Sequence, residues 1–248
     1  MNKIVKYTLI GLGVFVVLAV LFFVGYGVKA KSETKKMTPA ETSHITDSIY
    51  AIRDNFVNLY LYKYYDRYIA FDAGNNIENL SQELAKLGVN PEHVVAIFLT
   101  HTDGDHVAGL SLFRYAQVYL SRDEEPLITG QTHRFMVFGN RLARGGYITL
   151  GNNDTITVLD QKIQGILTPG HTPGSMCYLL NGRFLFTGDA LSLKNGRAEG
   201  FNEFFNMDSR AARKSIENLL NLPQVEYIFT GHHGYSHSYA DAFREWAK

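Results

Sequence analysis

His101, Asp103, Asp105 and His106 fall within six residues, in the run Thr100-His101-Thr102-Asp103-Gly104-Asp105-His106. Imidazole nitrogens and carboxylate oxygens are the usual protein ligands of divalent transition metals. In an extended loop, side chains two residues apart share one side, so the run offers donors toward two neighbouring cations if other loops complete each shell. Three later loops carry suitable groups: His171 in Thr168-Pro169-Gly170-His171-Thr172-Pro173-Gly174-Ser175, Asp189 in Phe186-Thr187-Gly188-Asp189, and His232 or His233 in Thr230-Gly231-His232-His233-Gly234. The flanking glycines permit the tight turns that aim such side chains inward. His44, His93, His133 and His237 lack comparable neighbours and read as surface or packing residues.

Each cluster must be held by something rigid. Residues 94–99 form a nearly continuous apolar run that leads directly into the first cluster, as expected of a strand covered on both faces. Residues 225–229 do the same for the last cluster. Residues 48–52, 56–62 and 67–71 read as short strands rich in aromatic and branched residues. Residues 155–159, 162–167, 176–180 and 183–186 read likewise, with Asn181-Gly182 as a hairpin turn. Leu80, Leu84 and Leu87 at helical spacing predict a helix over residues 77–87, stopped by Gly88 with Pro91 beyond. A short helix is predicted near Val107, a strand over residues 118–120, and helices over residues 208–222 and 239–246. Residues 122–146 resist assignment. Phe135, Met136 and Phe138 within them could wall a substrate site or form a packed helix. Strands first, then strand–helix units, in two similar halves, imply two sheets packed between outer helices.

The composition narrows the partners. The 248 residues have a formal net charge of zero, unevenly placed. The first 36 hold six Lys and one Glu, a net of +5, and the remainder a net of −5. A mildly acidic domain collects cations and is ill-suited to neutralising phosphates, so no nucleic-acid partner is expected. Cys177 is the only cysteine, which excludes an intrachain disulfide, and it reads as a small buried hydrophobe. Residues 7–28 carry no charge and as a helix span about 33 Å, against a hydrocarbon core of about 30 Å. The reading is an uncleaved single-pass anchor over residues 1–28, a polar linker over 29–47 and a folded domain over 48–248. Val28-Lys29-Ala30 also resembles a small-residue cleavage site. Lysines are more numerous after the apolar run than before it, which argues against export; single N-terminal anchors nonetheless often send the following domain across, and a domain outside the cytoplasm is the expectation.

Together the clusters resemble the metallo-β-lactamase superfamily over residues 48–248. The family pattern His-x-His-x-Asp-His stands here as His101-x-Asp103-x-Asp105-His106, its later His as His171, its bridging Asp as Asp189 and its final His as His232, which directly follows Gly231. Asp72, in Phe71-Asp72-Ala73-Gly74, resembles an early family Asp that supports the metal loop. The resemblance implies an α+β fold, a four-layer αββα sandwich, following the N-terminal transmembrane helix. It also implies two divalent ions, most readily Zn2+: one at His101, Asp103 and His171, the other at Asp105, His106 and His232, with Asp189 between. Asp103 departs from the pattern, because the family most often has His there. A harder, anionic ligand weakens the preference for zinc and favours iron or manganese at that site.

The implied chemistry is hydrolysis by a metal-bridging hydroxide, with water acidified to a pKa of about 7 and the developing oxyanion stabilised by the metals. Asp105 is the candidate catalytic residue that orients the hydroxide and handles its proton. Tyr235 is either a donor to the substrate or a packing residue. The leading expectation is a small-molecule substrate with an ester, thioester or lactone bond, similar to glyoxalase II-like or lactonase-like members. A β-lactam or phosphodiester hydrolase is the enzymatic alternative. A non-catalytic metal-dependent sensing domain on a membrane tether is the alternative outside enzymology, and Asp103 is the feature that favours it.

Overall fold

The computed structural model of the chain describes residues 2–134 and 139–246. They fall into two compact units, Met1–Met37 and Thr38–Lys248. The first is one helix, α1 (Lys3–Thr34), begun by Asn2, whose side chain accepts from the Ile4 amide. It is apolar on all sides and is long and apolar enough to cross a membrane, a test that signal sequences also pass. The helix runs six residues past the apolar stretch, where Lys29 pairs with Glu33 one turn on.

The second unit is built on two sheets. The first contains β1 (Ser43–His44), β2 (Ile49–Asp54), β3 (Val57–Tyr64), β4 (Arg67–Phe71), β5 (Val94–Phe98), β6 (Gln117–Ser121) and β7 (Tyr147–Leu150), in that order across the sheet. Pairing is antiparallel from β1 to β4 and parallel from β4 to β7. The second contains β8 (Thr155–Val158), β9 (Gln161–Leu167), β10 (Met176–Leu180), β11 (Phe184–Gly188), β14 (Tyr227–Thr230) and β15 (Tyr235–Ser236), in the order β15-β14-β11-β10-β9-β8. Between β11 and β14 the chain forms a separate hairpin, β12 (Leu191–Lys194) with β13 (Arg197–Gly200). Helices α2 (Ile77–Lys86), α3 (Gly104–Val107), α4 (Glu125–Ile128), α5 (Ser209–Glu217) and α6 (Tyr239–Ala242) complete the unit.

The strict alternation of strand side chains sorts them into layers. Ile49, Ala51, Tyr60, Ile69, Phe71, Ala96 and Phe98 face Met176, Tyr178, Leu180, Phe184, Phe186 and Phe229 across the gap between sheets. Phe71 and Phe186 stack there with ring centres 3.6 Å apart. Their neighbours in sequence turn the other way. Tyr50, Ile52, Leu59 and Leu61 pack with Leu80 and Leu84 of α2. Cys177, Leu179, Leu185 and Ile228 pack with Ile216 of α5 and Ala242 of α6. The result is a four-layer αββα sandwich, the architecture expected.

Most elements stand where the sequence places them, with instructive exceptions. The helix near Val107 starts earlier, at Gly104, so the chain is extended only through Asp103. The C-terminal helix is one turn long, because Phe243 already leaves the helical region. Residues 122–134 hold a 3-10 turn and α4, followed by irregular chain. The proposed apolar wall of Phe135, Met136 and Phe138 lies outside the described residues. Cys177 is fully buried, and burial pushes its thiol up to about 12.

Candidate metal centre

Four loops at strand ends converge. His101 follows β5, His171 lies between β9 and β10, Asp189 follows β11 and His232 follows β14. The early end of α3 gives Asp103 and Asp105 different directions. Asp103, still extended, joins His101 and His171; Asp105 and His106, in the first helical turn, join His232. A third group, His101, His106 and Asp189, links the two. Within each group one ligand atom per residue lies within 4.8 Å of the others.

The spacings suit ions. Donors about 2.0–2.1 Å from a tetrahedral centre stand roughly 3.3–3.5 Å from one another. His232 Nε2 is 3.4 Å from Asp105 Oδ2, 3.3 Å from His106 Nε2 and 3.2 Å from Asp189 Oδ2. His171 Nε2 is 3.1 Å from Asp103 Oδ2 and 3.4 Å from Asp189 Oδ2. His101 Nε2 is 3.7 Å from Asp103 Oδ2, and His106 Nε2 is 3.5 Å from Asp189 Oδ1. Asp189 therefore reaches both groups. Among the described residues, the buried side-chain atoms without a hydrogen-bond partner are His101 Nε2 and Asp189 Oδ1. Leaving such atoms unpaired costs about 1–3 kcal/mol each, and both point at the same centre. The donor set, its spacing and these two orphans fit a dinuclear metal site.

Each imidazole is aimed from its far side. The Nδ1 atoms of His106 and His232 lie 2.8 Å from Asp72 Oδ2 and from the Phe56 carbonyl. Those of His171 and His101 lie 3.2 Å from Asn206 Oδ1 and 3.1 Å from Thr100 Oγ1. Three of these partners are obligate acceptors, so His106, His171 and His232 donate from Nδ1, and Nε2 is left as the lone-pair donor. Asp72 sits in the left-handed region, φ 64°, and also accepts from the Thr100 amide and hydroxyl. It thus ties β4, the end of β5 and His106 together, the supporting position expected for it.

The electrostatics follow from burial and crowding. Burial holds His101 well below the ordinary imidazole range, reinforced by His106 and His171. Burial acts the same way on His106 but is outweighed by Asp72, Asp189 and Asp105, which raise it to about 10. Burial would raise Asp189, yet His232, His106 and His171 hold it well below the carboxylate range. The carboxylates thus favour positive charge at His106 and His232, whereas burial and the neighbouring imidazoles disfavour a proton on His101.

Several residues that shape the site carry no motif. Glu124 is fully buried; its carboxylate accepts from the Thr102 amide and hydroxyl, the Thr172 hydroxyl and the Gly174 amide. One side chain thereby pins the loops of His101 and His171 together. Asn140 donates to Asp103 Oδ1, and Arg134 pairs with Asp103 Oδ2 at 2.6 Å. Phe201, delivered by the β12–β13 hairpin, stacks on His232 and meets His171 edge-on, while Phe56 also stacks on His232. A second Asn-Gly turn, Asn195-Gly196, is the sequence signal that could have revealed that hairpin. His233 lies beside Thr38 rather than in the metal groups, and His44 stacks on Tyr50. Tyr235, on the short edge strand β15, is 40% exposed and leans on Phe229.

The family model described as Metallo-beta-lactamase superfamily matches residues 52–232. The chain belongs to the metallo-beta-lactamase superfamily. Among curated members, hydroxyacylglutathione hydrolase of Salmonella dublin is 30% identical over 188 residues, covering 75% of this chain and 64% of the relative. The probable polyketide biosynthesis zinc-dependent hydrolase BaeB of Bacillus velezensis is 34% identical over 128 residues, covering 50% of this chain and 49% of the relative. The chain thus spans less than two thirds of the length of these superfamily members. Among solved structures, the BLEG-1 B3 metallo-beta-lactamase has a TM-score of 0.61 at 25% identity, covering 79% of this chain and 96% of that one. A B3 metallo-beta-lactamase described as having an active-site glutamic acid has a TM-score of 0.65 at 18% identity, covering 88% and 93%, and that likeness shows the superfamily fold.

Proposed function

We propose that this chain is a metal-dependent hydrolase that cleaves an ester, thioester or lactone bond in a small molecule. The observation that carries the reading is the convergence of four imidazole Nε2 atoms on Asp103, Asp105 and Asp189, with Nδ1 of each ring occupied from behind. His101, Asp103 and His171 would hold one ion and Asp105, His106 and His232 the other, with Asp189 shared. Each set offers two imidazoles and one carboxylate; at the first, where the family most often has a third imidazole, Asp103 makes the donors harder and open to iron or manganese. When bound, the ions supply acidified water and polarise the scissile carbonyl.

The chain's own residues do the rest. Asp105 is the most exposed of the three carboxylates at the centre, with 23% of its side chain accessible against 16% for Asp103 and 5% for Asp189. It is therefore placed to take a proton from attacking water and release it to the leaving group or solvent. Phe56 and Phe201 line the site from the His232 side and exclude water from an apolar acyl portion. Thioester or ester chemistry ranks above β-lactam cleavage because hydroxyacylglutathione hydrolase is matched at 30% identity, whereas most of the β-lactamase structures show the fold alone. The length and apolar character of α1 support a membrane anchor; placing the domain outside the cytoplasm is part of the proposal and has no support from the helix itself.

The test is metal analysis with turnover on a panel of thioesters, lactones, aryl esters, β-lactams and phosphodiesters. Expected are two ions per chain, thioester or lactone turnover abolished by a chelator and restored by metal, and loss of at least about a thousandfold in Asp105→Asn. Tight metal binding with no turnover across the panel would favour the sensing domain.

A further inference from the structure

Arg134 is the residue that two equivalent ion sites leave unexplained. Its guanidinium lies inside the first group of ligands. Nη2 is 2.6 Å from Asp103 Oδ2 and 3.1 Å from His171 Nε2, and donates to the Phe205 carbonyl at 2.6 Å. Nη1 donates to the His171 carbonyl at 2.5 Å. Two of the three donors of that group are therefore engaged by a cation that the chain itself supplies, and the third, His101 Nε2, has no hydrogen-bond partner among the described residues. With His171 donating from Nδ1 to Asn206, its Nε2 is free to accept from the guanidinium. The second group is different: among the described residues no Arg or Lys pairs with Asp105, His106 or His232. Asp103 is what makes the arrangement possible, because a carboxylate holds a guanidinium in a charge-assisted pair where an imidazole would not.

We propose that Arg134 is a built-in competitor for the first metal position, so that the two sites fill in sequence. The inference rests on the dinuclear reading of the site above. The ion at Asp105, His106 and His232 enters unopposed and binds tightly. An ion at His101, Asp103 and His171 must displace the guanidinium from Asp103 and His171 and then tolerate its charge nearby. At low metal supply the chain holds one ion, with Arg134 providing the positive charge beside it.

The experiment is titration of zinc and, separately, cobalt into the metal-free full-length chain in detergent, against a chromophoric competing chelator. Wild type is expected to show two dissociation constants at least about a hundredfold apart, a gap of about 2.7 kcal/mol. Arg134→Gln is expected to leave the tight constant unchanged and strengthen the weak one by about tenfold or more. Arg134→Lys keeps the charge without the planar fork and is expected to fall between them, which guards against a folding defect in the first variant. Asp105→Asn is expected to lose the tight event and retain the weak one. Two equally tight ions in wild type would overturn the proposal while leaving the dinuclear reading intact, and no bound metal would overturn both. A second ion bound more weakly in Arg134→Gln would show that Arg134 merely orders the His171 loop, and would also overturn it.

Discussion

At the scale of single residues, the site works by fixing ring nitrogens rather than by collecting ligands. Asp72 illustrates the point. It is 3% exposed and accepts from Thr100 and from His106 Nδ1, which among the described residues is its one hydrogen bond to a ligand of the centre. In Asp72→Asn the shape is kept, but an amide offers no charge to hold the Nδ1 proton and one of its two faces is a donor. Metal affinity at the Asp105–His106–His232 group is expected to fall about ten- to a hundredfold, the usual effect of losing such an outer partner, with far-ultraviolet circular dichroism unchanged. Equilibrium dialysis against a metal buffer decides it; an unaltered affinity would mean that His106 is oriented by packing alone. Spacing within a short run brought out His101, Asp103, Asp105 and His106, and Asp72 came through the family resemblance. Glu124, Arg134, Asn140 and Asn206 were illegible for a physical reason. Each acts through a contact made only after distant segments meet: 22 residues separate Glu124 from Thr102, and 35 separate Asn206 from His171.

At the scale of elements, the loops at strand ends are shaped by what they leave no room for. Gly231 follows β14 immediately before His232, and a Cβ there would stand 2.5 Å from Asp189 Oδ1 and 2.8 Å from His106 Cε1. Gly182, in the β10–β11 turn, has open space around it and is constrained only by φ +67°. The two glycines therefore separate crowding at the centre from backbone strain. Gly231→Ala is expected to cost about 1–3 kcal/mol of stability by overpacking and to weaken metal binding as Asp189 and His106 are pushed apart. Gly182→Ala is expected to cost about 1–2 kcal/mol with metal affinity intact. Calorimetric unfolding with metal titration of both variants checks the contrast, and equal metal affinities would refute it. The β10–β11 turn was plain in the sequence because Asn and Gly are the residues that best tolerate positive φ, and Asn181 and Gly182 adopt it, 52° and 67°, in the short connection between the paired Leu180 and Phe184. Strands facing two covered layers were plain from their unbroken apolar runs. β7 was not: it is a four-residue edge strand with one fully buried side chain, after a stretch without periodicity, and its place is set by parallel pairing with β6. The start of α3 was misjudged because Asp103 and Asp105 suit an extended loop and a helical first turn equally well.

At the scale of the whole molecule, the question is where the folded unit begins. The sequence suggests residue 48, after a polar stretch, whereas contacts place the division after Met37. Residues 38–47 are tied in closely. The Thr38 amide donates to the His232 carbonyl at 2.9 Å, Ala40 exchanges two hydrogen bonds with the Asn58 side chain, Thr42 accepts from the Arg53 amide, and β1 pairs with β2. Ala40 and Ile45 also pack on the core between the sheets. A chain of residues 38–248 is therefore expected to fold, to bind metal as the full chain does and to unfold within about 2 °C of it. A chain of residues 48–248 loses at least four hydrogen bonds at about 0.5–1.5 kcal/mol each. For a domain of this size that is a drop in Tm of about 4–24 °C. The lost support for the His232 backbone is expected to show as weaker metal binding at the second site. Only the full chain, with α1, is expected to stay in the membrane fraction after alkaline carbonate washing. If residues 48–248 melt and bind metal like 38–248, the segment before β2 is a passive linker after all; if the full chain washes off, α1 is not an anchor.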